Sequence, residues 1–239
     1  MSTVPAAARA PQHDLEALKS AQGVALLGDV AHPSELVSVA HDMFSPHSEK
    51  VRALGTELML RHEADRGGNL IAVMSPCQGE GRSRLAAELA VVFAQLGRPT
   101  LLVDADLRKP SQDRLFCCDG SQGLAQAIAG NGAPAMHRVA GMPEMYLLNA
   151  GAPPPNPLEL LSDAYFEELI QDWRRNYEFV VFDTPALETY SDGLAVASLV
   201  GRVLAITRAQ HTPYQAANAM FRRLVATQSR ILGAVINHF

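Results

Sequence analysis

Between residues 75 and 90 the chain reads SPCQGEGRSRLAAELA, two glycines in a short polar stretch followed by a run of helix formers. Glycines at that spacing let successive backbone N–H groups turn inward around an anion, and a helix starting there points its positive end at the same spot. Gly79 and Gly81 are the turning residues, and Glu80, Arg82, Ser83 and Arg84 complete a cradle for phosphate oxygens. The standard phosphate-loop pattern, GxxxxGK followed by Ser or Thr, is met only in part. Pro76 stands for its first glycine and Arg82 for its lysine, while Gly81 and Ser83 keep their places. A strand-to-helix turn also takes glycines for purely steric reasons, so the loop alone does not decide its use.

Two further clusters supply the partners that such a loop needs. The run LLVDAD ends in Asp104 and Asp106, and FVVFD ends in Asp183 in the manner of a Walker B strand. With the Ser83 hydroxyl, carboxylates so placed are the oxygen set that holds Mg²⁺ beside a phosphate tail. The chemistry would be in-line phosphoryl transfer, carried mostly by positioning and charge neutralisation. A dinucleotide-binding GxGxxG reading fails, because Arg84 stands where the third glycine belongs and FVVFDTP is left without a role.

The elements that must position these residues follow from hydrophobic pattern. Six short apolar runs, NLIAVMS, TLLVD, MYLLNAG, EFVVFD, RVLAITR and ILGAVIN, have the character of strands buried on both faces. Helical spacing and caps predict helices over Pro46 to about His62, Arg82 to Leu96, Pro157 to near Tyr177, Ser191 to Val200 and Pro213 to Gln228. The alternation predicts an α/β fold, a parallel sheet flanked by helices on both faces. In such sheets ligands bind at the carboxyl ends of the strands, where all three polar clusters fall. Residues 1–44 are expected to be an N-terminal tail with a short helix near Leu15 to Ala21, and residues 45–239 the nucleotide-binding domain.

Composition narrows the partners. A formal net charge of −5 over 239 residues does not favour nucleic acid. No stretch approaches the roughly 18 apolar residues of a membrane span, so direct membrane insertion is not expected. The N-terminus lacks the pattern of a secretory signal. Three cysteines, two of them adjacent, make no disulfide framework and fit a reducing cytoplasm. The histidines show no metal-ligand spacing.

In its motifs the chain resembles the cytoplasmic kinase domain of the bacterial tyrosine kinases that work with polysaccharide chain-length regulators in capsule and exopolysaccharide synthesis. The likeness rests on EGRS (Glu80 to Ser83), DADLRKP (Asp104 to Pro110), DTPA (Asp183 to Ala186), GAPPPNPLELL and GAVIN, from about Ser45 to Asn237. It implies a P-loop architecture of the deviant-Walker, MinD/ParA-like kind, with ATP or ADP and Mg²⁺ as cofactors. It implies Ser83, Asp104, Asp106 and Asp183 around the metal, Asp104 and Arg82 at the catalytic centre, and Arg108 placing phosphates. It further implies a membrane chain-length-determinant protein (a polysaccharide copolymerase) as partner, a cytoplasmic position peripheral to the inner membrane through that partner, and a homo-oligomer.

Three departures temper the resemblance. Arg82 replaces the lysine that bridges the terminal phosphates, and a planar guanidinium is less free to wrap under the loop. Of the assembly pattern ExxRxxR, Glu49 and Arg52 remain but Gly55 takes the last position. The five tyrosines are scattered, with no tyrosine-rich tail. The resulting expectation is a regulator of exopolysaccharide biosynthesis and export with weak or lost catalysis, a pseudokinase. The alternatives are an active ATP-dependent protein-tyrosine kinase of the same pathway and a ParA/MinD-like ATPase switch. The switch proteins usually add a lysine early in the loop, which Ser75, Pro76 and Cys77 do not supply.

Overall fold

The structure is a computed structural model that describes residues 24–65 and 68–238. The expected helix near Leu15 to Ala21 lies outside the described residues. In chain order the elements are β1 (Ala25–Ala31), α1 (Pro46–Asp65), β2 (Leu70–Met74), α2 (Arg82–Gln95), β3 (Thr100–Asp104), α3 (Gln112–Leu115), α4 (Leu124–Gly130), β4 (Ala135–Val139) and β5 (Met142–Leu148). There follow α5 (Pro157–Leu160), α6 (Ala164–Asn176), β6 (Phe179–Asp183), α7 (Asp192–Val200), β7 (Arg202–Arg208), α8 (Tyr214–Ala226) and β8 (Arg230–Asn237).

The strands form one eight-stranded sheet in the order β1-β4-β5-β3-β6-β2-β7-β8. Every pairing is parallel except β4 with β5, which is antiparallel. Strands β2, β3 and β6 are buried along their whole length, which is why their sequences are apolar without alternation. Their side chains still divide between two cores. Leu70, Ala72, Met74, Leu101, Val103, Val180 and Phe182 face α6, α7 and α8. Ile71, Val73, Leu102, Phe179 and Val181 face α1 and α2, where Phe93 stacks on Phe179 at 4.0 Å between ring centroids.

The structure departs from the sequence reading at three places. Strands β1 and β4 were not expected, and each has a physical reason for being missed. β1 is an edge strand with exposed residues and carries Gly28 and Asp29, while β4 places His137 and Arg138 in its middle. Because β1 pairs with β4, residues 25–31, within the expected N-terminal tail, join the sheet. The helix predicted from Pro157 to Tyr177 is broken into α5 and α6. Asp163 caps α6 by accepting from the Tyr165 N–H at 2.8 Å, and Asn156 meets the Glu159 carboxylate rather than a backbone N–H.

Two glycines mark close approaches. A Cβ at Gly55 would lie 2.7 Å from Val92 Cγ1, so the residue that weakens α1 as a helix also lets it lie tightly on α2. Gly123 sits where the start of α4 is bonded to the end of β5, with Leu124 N–H donating to the Asn149 carbonyl at 2.8 Å. A Cβ there would lie 2.1 Å from that carbonyl oxygen, a backbone atom that cannot rotate away. Gly123→Ala is therefore expected to lower unfolding free energy by at least about 2 kcal/mol in urea denaturation. A change within experimental error would refute this contact.

Candidate nucleotide-phosphate site

The topology brings the three motifs to one place. β6 lies between β2 and β3, so the chain leaves β2 through the loop of residues 75–81 and α2 and re-enters the sheet beyond β6. Asp104 and Asp183 are register partners at the ends of β3 and β6. Val73, just before the loop, is the register partner of Asp183, and the Thr184 hydroxyl ties the two strand ends by donating to the Val73 carbonyl at 2.8 Å.

Within the loop, Gly79 and Gly81 take left-handed backbone angles, with φ of 75° and 89°. These conformations favour glycine and turn the loop into the N-terminus of α2. Among the described residues, no acceptor faces the backbone N–H groups of Gly79, Gly81, Arg82 and Ser83. The Glu80 side chain does not face the cradle. It is buried, accepting the Cys77 N–H at 2.9 Å and the Thr212 hydroxyl, while its carbonyl accepts from Asn237 Nδ2 at 3.0 Å. Glu80 thus braces the loop against the ends of β7 and β8. Burial and the Glu80 charge push the Cys77 thiol up to about 11, which keeps it protonated and unreactive.

Arg82 opens α2 and folds down across the strand ends, with its side chain 10% exposed. Its Nε donates to Asp183 at 3.1 Å, Nη1 to the Ser75 hydroxyl at 2.9 Å and Nη2 to Asp106 at 3.0 Å. The remaining acid, Asp104, receives only backbone donors. One oxygen accepts from the Asp106 N–H at 3.1 Å and the other from the Ser111 and Gln112 N–H groups, both at 3.0 Å. Burial first, and then the adjacent Asp183 charge, hold the Asp104 carboxyl well above the usual carboxylate range. Asp106 is also raised, chiefly by burial, with Arg82 opposing the shift.

Every oxygen of the three carboxylates has a protein donor. Besides Arg82, Asp106 accepts from the Arg108 and Lys109 N–H groups at 3.3 and 3.0 Å. Asp183 accepts from Gln112 Nε2 at 2.8 Å. That same Gln112 nitrogen donates to the Ser83 carbonyl at 3.0 Å and so links the loop to the acids. The fold therefore brings Ser83, Asp104, Asp106 and Asp183 into one neighbourhood. Each carboxylate oxygen arrives there already hydrogen-bonded within the protein, and two of the three acids are paired to the Arg82 cation. Among the described residues, no group of three histidine, cysteine or carboxylate side chains is arranged to hold a metal ion. As placed, Asp106 and Asp183 face the Arg82 guanidinium where the resemblance implies a metal, held by Asp106 through water.

Arg108 and Arg84 both turn away from the cradle. Arg108 forms a two-pronged ion pair with Asp192 at the start of α7 and lies 4.1 Å over the Tyr190 ring. Arg84 pairs at 3.1 Å with the buried Glu88, which also meets His47 at 2.7 Å. Arg84, Glu88 and His47 line one side of a groove of about 490 Å³ that opens beside the loop and is bounded opposite by Val235 and Asn237. Sequence reasoning missed Ser75, Gln112, Asp192 and Asn237. Asn237 was detectable as a polar residue at the carboxyl end of a strand, whereas nothing local marks Gln112.

A glycine-rich loop running from a buried strand into a helix, with acids ending the neighbouring strands, defines an α/β domain of the P-loop kind. The chain is 35% identical over 195 residues to tyrosine-protein kinase YwqD of Bacillus subtilis, covering 81% of each protein. Its structure matches the kinase domain of Escherichia coli tyrosine kinase ETK with a TM-score of 0.79 and 27% identity, over 84% of this chain and 79% of that one. The septum site-determining protein MinD from Pyrococcus horikoshii, complexed with Mg-ADP, shares the fold at a TM-score of 0.61 and 20% identity, over 70% of this chain and 69% of that one. No protein-family model matches the chain. The chain belongs to the bacterial tyrosine-protein kinase family.

Removing one member of a buried ion-pair network leaves the others charged and unpaired. Arg82→Ala is therefore expected to cost about 3–5 kcal/mol of unfolding free energy, and Arg82→Lys clearly less. Urea denaturation checks both. A loss below about 1 kcal/mol for the alanine variant would mean that the guanidinium is not held as described.

Proposed function

We propose that the chain is a regulator of exopolysaccharide or capsule synthesis and export built on a tyrosine-kinase-like domain that binds ATP or ADP, with phosphoryl transfer weak or lost. The phosphates would lie on the free N–H groups of the loop, at the positive end of α2, and the base would lie in the groove toward Asn237. Nucleotide occupancy would then be the signal read by a membrane chain-length-determinant protein. No described helix is long and apolar enough to cross a membrane, so contact with the membrane through that partner fits this reading.

One observation carries the proposal. The residue in the place of the transferring lysine is tied at all three guanidinium nitrogens to Asp183, Ser75 and Asp106. A flexible ammonium can leave such a pair and follow the terminal phosphate through the reaction. A planar fork locked at three points is poorly suited to that movement. Catalysis requires interactions stronger in the transition state than in the ground state, and a few kcal/mol lost there lowers the rate on the order of a hundredfold or more. The alternative, an active protein-tyrosine kinase, is favoured by the retained Asp104 and by the named activity of the relatives.

Incubating the purified protein with labelled ATP and Mg²⁺ distinguishes the two. We expect nucleotide to be retained with little label on tyrosine, and Arg82→Lys to raise turnover by on the order of a hundredfold. Turnover in the natural protein equal to that of Arg82→Lys would sink the proposal.

A further inference from the structure

We propose that Arg82 serves as a built-in cation in place of a divalent metal, so that the site takes up a nucleoside di- or triphosphate without requiring Mg²⁺. This inference rests on the nucleotide-binding reading above and deepens it.

The first support is the state of the acids. A divalent cation beside a phosphate tail bridges phosphate oxygens to nearby carboxylates and balances their charge. Here the side of Asp106 and Asp183 that could serve a metal is occupied by Arg82 Nη2 and Nε at 3.0 and 3.1 Å. The other oxygens of these acids are held by the Lys109 N–H and by Gln112 Nε2. A metal would have to displace a permanently charged group from a site where both carboxylates are almost fully buried, with side-chain exposures of 7% and 0%. Breaking buried pairs of this kind is costly. Both oxygens of the third acid, Asp104, already accept from backbone N–H groups, three in all.

The second support is what Arg82 has left to give. Nη1 and Nη2 each carry a second N–H beyond those donated to Ser75 and Asp106. A guanidinium held by carboxylates can donate its remaining Nη1 and Nη2 N–H groups to a phosphate in forked geometry. It then joins phosphate to acid, as a metal would, with no ion recruited from solution. The unpartnered N–H groups of Gly79, Gly81, Arg82 and Ser83 supply the remaining donors.

The contrast with a lysine at this position is testable. An ammonium is a point charge without the planar fork, so a lysine cannot hold both acids and a phosphate in the same geometry. In Arg82→Lys the acids would be left to a metal.

Titration calorimetry of the natural full-length chain with ADP and with ATP, in Mg²⁺ and again in EDTA, tests the inference. We expect dissociation constants that differ by less than about threefold between the two conditions, and a tightening by Mg²⁺ of at least about tenfold in Arg82→Lys. A difference above about threefold in the natural protein overturns metal independence and leaves the nucleotide-binding reading standing. No uptake in either condition overturns both. The comparison within the natural protein decides the question even where the lysine variant folds poorly.

Discussion

The guanidinium of Arg82, enclosed by Ser75, Asp106 and Asp183, is the interaction around which this structure is arranged. A charge this deeply placed needs opposite charge and hydrogen-bond acceptors close by. Those acceptors come from three different strand ends, β2, β3 and β6. The parallel register that pairs Asp104 with Asp183, and Asp183 with Val73, is therefore also the register that makes burial of Arg82 tolerable. Slipping any one of these strands would strand a charge inside the protein.

The surrounding contacts make the cluster stiff. Gln112 ties Asp183 to the backbone of Ser83, and Glu80 ties the loop to β7 and β8. The Arg108–Asp192 pair fastens the chain after β3 to the start of α7. A rigid constellation suits binding, which gains from groups fixed in advance. Phosphoryl transfer requires in addition that a cation be aimed at the charge that develops in the transition state, and Arg82 is committed to Asp106 and Asp183. The same fold can thus support recognition of a nucleotide while being poorly arranged for chemistry on it.

The sequence revealed the central sheet more readily than its margins. β2, β3, β6 and β7 are buried apolar runs whose pattern has little competition, and their polar ends announced the site. β1 escaped because it is an edge strand with water on one side and carries Asp29, and β4, though paired on both sides, because His137 and Arg138 dilute its signal. Within the site, the identities of Arg82, Asp104, Asp106 and Asp183 were legible from spacing, but their hydrogen-bonding state was not. Whether Arg82 points at a ligand or at its own carboxylates depends on tertiary distances that no local pattern encodes. Gln112 is invisible for the same reason, since its role arises only when α3 is laid against the loop. Gly55 looked like a flaw in a helix, and the structure gives it a packing purpose against Val92.

The account's central claim is that Arg82 is fixed by its own acids before any ligand arrives, and the guanidinium itself can report on it. Nuclear magnetic resonance of the Arg82 Nε–H in the ligand-free protein, assigned by its disappearance in Arg82→Lys, is the most direct measurement. The account predicts a distinct, slowly exchanging signal that persists in high salt, because the pair to Asp183 is buried. A rapidly exchanging signal merged with those of solvent-exposed arginines would contradict it.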